Sequence, residues 1–192
     1  MLHKTQLLVA LTVANCVSAL TGDVYLYEEE SCQGPRRICS NMPEYGCCGS
    51  RGSIFSSSKV LFREPCVRAW LYARSSQSND LCRVALERSS GCVTHLYTIT
   101  GSFWSSDPSP GSMSVEDADA AQPDPALCRA PDLLSTDVDG WTYSIMLNGT
   151  HHSDFLQAVD EGQSSRDAME NYIIQNADAK VPREDETISA RC

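Results

Sequence analysis

Val24-Tyr25-Leu26-Tyr27-Glu28-Glu29-Glu30-Ser31-Cys32-Gln33-Gly34-Pro35 is the stretch on which the fold turns. Its first four residues alternate and are rich in β-formers, the period-two pattern of a strand with one face on a core. Three glutamates end that run, and Gln33-Gly34-Pro35 supplies turn chemistry. Cys32 is also the first of seven cysteines that fall between Cys32 and Cys92. Working outward, Ser58-Lys59-Val60-Leu61-Phe62, Val67-Arg68-Ala69-Trp70-Leu71-Tyr72 and Val93-Thr94-His95-Leu96-Tyr97-Thr98-Ile99 follow the same strand rule. Turn residues separate them at Gly49 to Gly52 and Ser75 to Asp80, while Cys82 to Arg88 fits either a strand or a helical turn. Short strands at regular intervals predict an antiparallel, mainly β domain over residues 20–105.

Upstream of that domain, residues 1–19 read as a secretion signal. One lysine precedes an apolar run from Leu7 to Val17, and Val17-Ser18-Ala19 offers the small residues a signal peptidase requires. The run is shorter than the roughly 20 residues needed to cross a bilayer, so a cleaved signal and an extracellular, soluble protein are expected, with no membrane span. Cys16 leaves with the signal. The nine cysteines that remain, Cys32, Cys39, Cys47, Cys48, Cys66, Cys82, Cys92, Cys128 and Cys192, read as a disulfide framework in an oxidising compartment. No C-x-x-C pair or matching histidine spacing supports zinc, and no metal or cofactor is expected. Side chains of adjacent residues in extended chain point to opposite faces, so Cys47 and Cys48 should bond different partners. Nine is odd, so at least one thiol is free, or joined to another molecule or an added group. Cys192 is one candidate, unless it closes on Cys128.

Downstream the character changes. Residues 20–105 hold nine Lys/Arg against eight Asp/Glu, whereas residues 106–192 hold five against seventeen. Phosphate would be repelled by the acidic half, which argues against nucleic acid as a partner. Residues 106–131 are Ser-, Pro-, Asp- and Ala-rich and read as a disordered linker. In the acidic C-terminal region, 132–192, Trp141 to Leu147 is a candidate strand. Ser153 can cap a helix through Phe155, Leu156 and Val159, and a second helix from Ser164 or Ser165 would put Ala168, Met169, Tyr172 and Ile173 on one face. Asn148-Gly149-Thr150 is a glycosylation sequon, so Asn148 should be exposed. His151-His152-Ser153-Asp154 fits a polar loop at a helix start better than a ligand cluster.

The segment Tyr27 to Gly34 resembles the aromatic–acidic opening and glycine turn of the βγ-crystallin Greek-key motif. The glycine matches the backbone conformation that the motif demands, and Arg36-Arg37-Ile38-Cys39 continues in its register. Cys32 stands where that family has an aromatic ring, so a disulfide would replace the ring's packing. Ser56-Ser57-Ser58 falls where the motif places its serine. A second Greek key would open at Trp70-Leu71-Tyr72, without a glycine at the usual offset. The resemblance covers about residues 22–104 and implies a disulfide-stapled Greek-key β-sandwich there, to which the acidic C-terminal region adds an α/β extension read from its own composition and patterning. It also suggests calcium, but Gly52 and Ser53 occupy the positions of the family's acidic or amide ligands, and Thr94-His95 is equally bare. Neutral hydroxyls do not offset dehydration of the ion, so no metal is expected, and Glu28 to Glu30 reads as a solvated strand edge. The pattern of aromatics and cysteines is also similar to that of small secreted cysteine-rich fungal effectors. No G-x-S-x-G elbow or serine–histidine–aspartate context stands out, so no catalytic residue is assigned. The expected function is non-enzymatic binding of an extracellular host or competitor protein. The alternative is an antimicrobial or killer-type toxin, or a secreted protease inhibitor.

Overall fold

The structure is a computed structural model that describes residues 20–49, 55–62, 70–75, 84–89, 91–106, 124–147, 153, 155 and 166–183. It is mainly β. The strands are β1 (Thr21–Tyr27), β2 (Arg36–Pro43), β3 (Gly46–Gly49), β4 (Phe55–Phe62), β5 (Trp70–Ser75), β6 (Val84–Ser89), β7 (Val93–Ile99), β8 (Gly101–Ser105), β9 (Asp124–Arg129), β10 (Leu133–Val138), β11 (Trp141–Met146) and β12 (Ala179–Pro182). One 3-10 turn spans Glu30–Cys32, and helix α1 spans Arg166–Asn176.

Two sheets result. One runs β12-β11-β10-β2-β1-β4-β7 and the other β6-β5-β8-β3-β9. Among the first eight strands, each run of four gives its third strand to the opposite sheet: β3 joins β5, β6 and β8, and β7 joins β1, β2 and β4. Pairing is antiparallel throughout, except for β3 with β9. The alternation read from Val24 to Tyr27 has a structural cause. Val24 and Leu26 are fully buried in β1, while Tyr25 faces the other way beside Lys59 and Ile38.

Both sheets contribute to one core: Val24, Leu26, Cys39, Met42, Phe55, Val93 and Ile99 from the first, and Cys48, Leu71 and Trp104 from the second. Trp104 is its largest member. Its ring meets Phe62 edge-on at 4.9 Å, and its indole N–H donates to the Met42 carbonyl at 3.0 Å, so burial leaves no polar atom stranded. The hydroxyl of Ser102 donates to that of Ser58 at 2.8 Å across the sandwich. The Cys39–Cys48 disulfide joins β2 to β3, and therefore one sheet to the other.

The expected strands fall within β1, β4, β5 and β7, although residues 67–69 lie outside the described set. The expected linker needs correction where it is described: Asp124–Arg129 is strand β9, lying parallel to β3. Hydrogen bonding also continues past residue 105. β10 pairs with β2 from Leu133↔Ile38 to Ser135↔Arg36, so the C-terminal strands extend the sheet that β1 belongs to. Asp132 caps this junction by accepting from the Ser40 amide and hydroxyl at 3.0 and 3.1 Å. The physical reason is that β2 would otherwise be an open sheet edge, with unpaired amides and carbonyls.

A second core of Leu134, Ile145, Phe155, Met169 and Ile173 sits between β10, β11 and α1. α1 begins at Arg166, beside the expected start, and turns Met169 and Ile173 inward. Ser153 and Phe155 are helical, and the rest of the first expected helix lies outside the described residues.

Candidate binding surface

The chain between β1 and β2, Glu28 to Pro35, does what its composition foretells and something more. After Tyr27, which is buried and stacked on Tyr25 at 6.4 Å, the glutamates break the apolar alternation. The backbone then enters the left-handed region at Ser31 (φ 67°), Cys32 (φ 52°) and Gly34 (φ 77°). Glycine adopts that geometry freely, but Ser31 and Cys32 pay about 1 kcal/mol each for it. Tertiary contacts supply the compensation.

Ser57 is central to that compensation. Fully buried in β4 and opposite Tyr27 in register, its hydroxyl donates to the Glu29 carbonyl at 2.6 Å and accepts the Cys32 amide at 2.9 Å. The Ser31 amide donates to the Thr94 hydroxyl of β7 at 3.3 Å. The Cys32–Cys92 disulfide fixes the turn to the start of β7. On the other flank, Glu29 pairs with Arg166 of α1 at 3.0 Å. A β-carbon on Gly34 would lie 3.6 Å from the Nε of that same arginine, so Arg166 lies along the turn. What remains exposed is Glu30, Ser31 and Gln33.

Two arginines behind the turn join the two cores. Arg37, 6% exposed, places its guanidinium between the rings of Phe55 (5.3 Å) and Phe155 (5.0 Å) and pairs with Glu28 at 2.9 Å. Arg36 makes a two-pronged contact with Asp137 at 2.7 and 2.9 Å and lies over the Tyr25 ring at 5.5 Å. Thr142 donates to Asp137 at 2.7 Å. Burial resists ionisation of Asp137, but the Arg36 hydrogen bonds and charge, with Thr142, outweigh it and hold the carboxyl below its ordinary range. Burial likewise works against the Arg36 cation, but its hydrogen bonds to Asp137 and the charge interactions with Tyr27, Asp137 and Tyr25 together outweigh it, so its pKa is raised.

The cysteine expectations can be placed in part. Cys32 bonds Cys92, and Cys39 bonds Cys48. Cys47 is in a separate disulfide, so the adjacent pair does hold different partners. Cys128 is half-buried in β9, while Cys66, Cys82, Cys192 and Asn148 lie outside the described residues, as do Gly52, Ser53, His151, His152 and Asp154. Among the described residues no group of three or more His, Cys, Asp or Glu could hold a metal ion. No described helix is long and apolar enough to cross a membrane. The acidic run is solvated only in part: Glu30 is exposed with the turn, whereas Glu28 and Glu29, partly exposed, are each paired with an arginine. The part that Arg37, Arg166 and Thr94 play in holding the turn did not show in the sequence, since their partners lie 9, 137 and 63 residues away.

Together these features define a mainly β, disulfide-bonded protein with a firmly anchored, displayed turn. Residues 23–132 match ARB_05566_N, described as an N-terminal domain, and the chain belongs to that family. The match runs past residue 105 and ends one residue before β10. No curated protein matches the chain, and no solved structure does.

Proposed function

We propose that this is a secreted, non-enzymatic binding protein that presents the β1–β2 turn to an extracellular host or competitor protein, as an effector does. Its β domain is read as a βγ-crystallin-like pair of Greek keys. The exchange of β3 and β7 between sheets supports that reading, as does Ser57 fastening the turn at the place the motif gives its serine. The observation that carries the functional reading is the turn itself. Two non-glycine residues are held left-handed by a hydroxyl, a disulfide and an ion pair, while Glu30, Ser31 and Gln33 face solvent. A turn fixed in advance loses little entropy on binding.

The toxin reading has less support, since a net charge of −10 would be repelled by anionic membranes. A substrate-like protease inhibitor needs an extended loop, which the φ values of Ser31 and Cys32 do not offer. The test is a panel of extracellular host proteins measured by biolayer interferometry against the oxidised protein and its E30R and Q33R variants. Binding that falls at least tenfold in both variants, at unchanged melting temperature, is the expected result. Binding unaffected by either change would move the site away from the turn, and turnover of a glycan or peptide library would end the non-enzymatic reading.

A further inference from the structure

The two described disulfides meet solvent unequally. Cys39 and Cys48 are both 0% exposed, so no reductant can reach their sulfurs without opening the core. In the other bridge Cys92 is exposed, beside exposed Gly91, and Cys32 is half-buried. We propose that Cys32–Cys92 is a redox-sensitive switch for the β1–β2 turn, opened by a dithiol reductant. The inference rests on the reading of that turn as the binding surface, and it assigns the surface a means of regulation.

The chemistry is thiol–disulfide exchange, whose rate depends on access to one sulfur and on the leaving thiol. A reductant thiolate attacks the accessible Cys92 Sγ, a bond forms between them, and the Cys32–Cys92 bond breaks with its electron pair leaving on Cys32. The Cys32 thiolate then takes a proton. The second thiolate of the reductant attacks its own sulfur in the mixed disulfide, releasing Cys92. Two electrons pass to the protein, and the reductant departs as its disulfide. Each released sulfur has a partner in place. The Ser58 carbonyl lies 3.2 Å from Cys32 Sγ and can accept its thiol proton. The Thr94 hydroxyl, 3.7 Å from Cys92 Sγ, can donate to a thiolate there. Reduction therefore strands no buried group, and β1, β4 and β7 have no reason to come apart.

The turn responds differently. Its left-handed residues are disfavoured intrinsically. Without the bridge they depend on the Ser57 and Thr94 hydrogen bonds and on an ion pair in which Arg166 is half exposed, a kind of contact that contributes little. Segments held by few contacts open locally while the core stays closed.

The experiment titrates the oxidised full chain with dithiothreitol, traps thiols by alkylation for peptide mapping, and follows hydrogen exchange over residues 29–34 in the same samples. Cys32 and Cys92 should be alkylated at reductant concentrations at least tenfold below those needed for Cys39 and Cys48. Exchange in the turn should then rise at least tenfold while β1 and β4 keep their protection. Simultaneous reduction of both bridges would overturn the proposal, as would a turn that stays protected once Cys32 and Cys92 are alkylated. Neither readout involves a partner, so a failure of the switch is distinguishable from a failure of the turn as a binding surface.

Discussion

Two turns in the same sheet solve the same problem by opposite means. Asp139-Gly140 joins β10 to β11 with φ of 51° and 78°, and nothing lies within 4 Å of where a Gly140 β-carbon would stand. An Asp-Gly pair suits that geometry on its own, so the turn needs no help from the rest of the molecule. The turn from Glu28 to Pro35 asks the same conformation of Ser31 and Cys32 and secures it with Ser57, Thr94, Arg166 and a disulfide. A turn whose geometry comes from its own residues serves the fold. One held in a costly geometry from several sides points to a use for that shape.

The sharpest way to break the second kind of turn is to remove its covalent tie. The Cys32–Cys92 bridge spans 60 residues, against 9 for Cys39–Cys48. Chain-entropy arguments give the longer loop about 4 kcal/mol and the shorter about 2.5 kcal/mol. A C32S/C92S double variant should therefore lose about 4 kcal/mol in denaturant unfolding, the largest effect of the series. Next comes the pairing that joins the C-terminal strands to β2. Replacing Asp137 by Asn leaves the largely buried Arg36 cation without its counter-charge and should cost about 3 kcal/mol by the same measurement. The same pair sets a pH dependence. Asp137 is held below its ordinary range, so its contribution is complete above the unfolded carboxylate pKa of about 4 and fades as pH falls through the lower folded value. Melting temperatures between pH 5 and pH 2 should fall less steeply in D137N than in the parent protein.

Ser57→Ala would strand the Cys32 amide and the Glu29 carbonyl together, at about 2 kcal/mol. The locally encoded turn gives the smallest effect: Gly140→Ala places a β-carbon in open space and costs only the left-handed backbone term, about 1 kcal/mol. If Gly140→Ala cost more than Ser57→Ala, the contrast between the turns would collapse.

How much of this was legible in the sequence follows the same division. β1, β4 and β7 could be read because alternation and β-branching are local properties, and the crowded cysteines announced a stapled β core. The strand β9 could not: Asp124-Pro125-Ala126-Leu127-Cys128-Arg129 lacks alternation and takes its form from β3, far away in sequence. β10 was missed although a signal was present, because Asp139-Gly140 between two runs marks a hairpin. In the turn, Cys32, Gly34 and the serine run could be singled out through the resemblance to the Greek-key motif. The pairing of Glu28 and Glu29 was missed because charge alone looks solvated, and Arg37 and Arg166 reach them only in the folded chain. Local chemistry shows in sequence, whereas a geometry imposed by distant residues does not.

The central claim is that the β1–β2 turn is held rigid by the rest of the molecule. Residue-resolved hydrogen exchange at the Cys32 amide tests it most directly, comparing the oxidised protein with S57A and using Gly140 as internal control. The account predicts strong protection of Cys32 in the parent protein, lost by at least tenfold in S57A while Gly140 is unchanged. Free exchange of the Cys32 amide in the oxidised parent protein would contradict it.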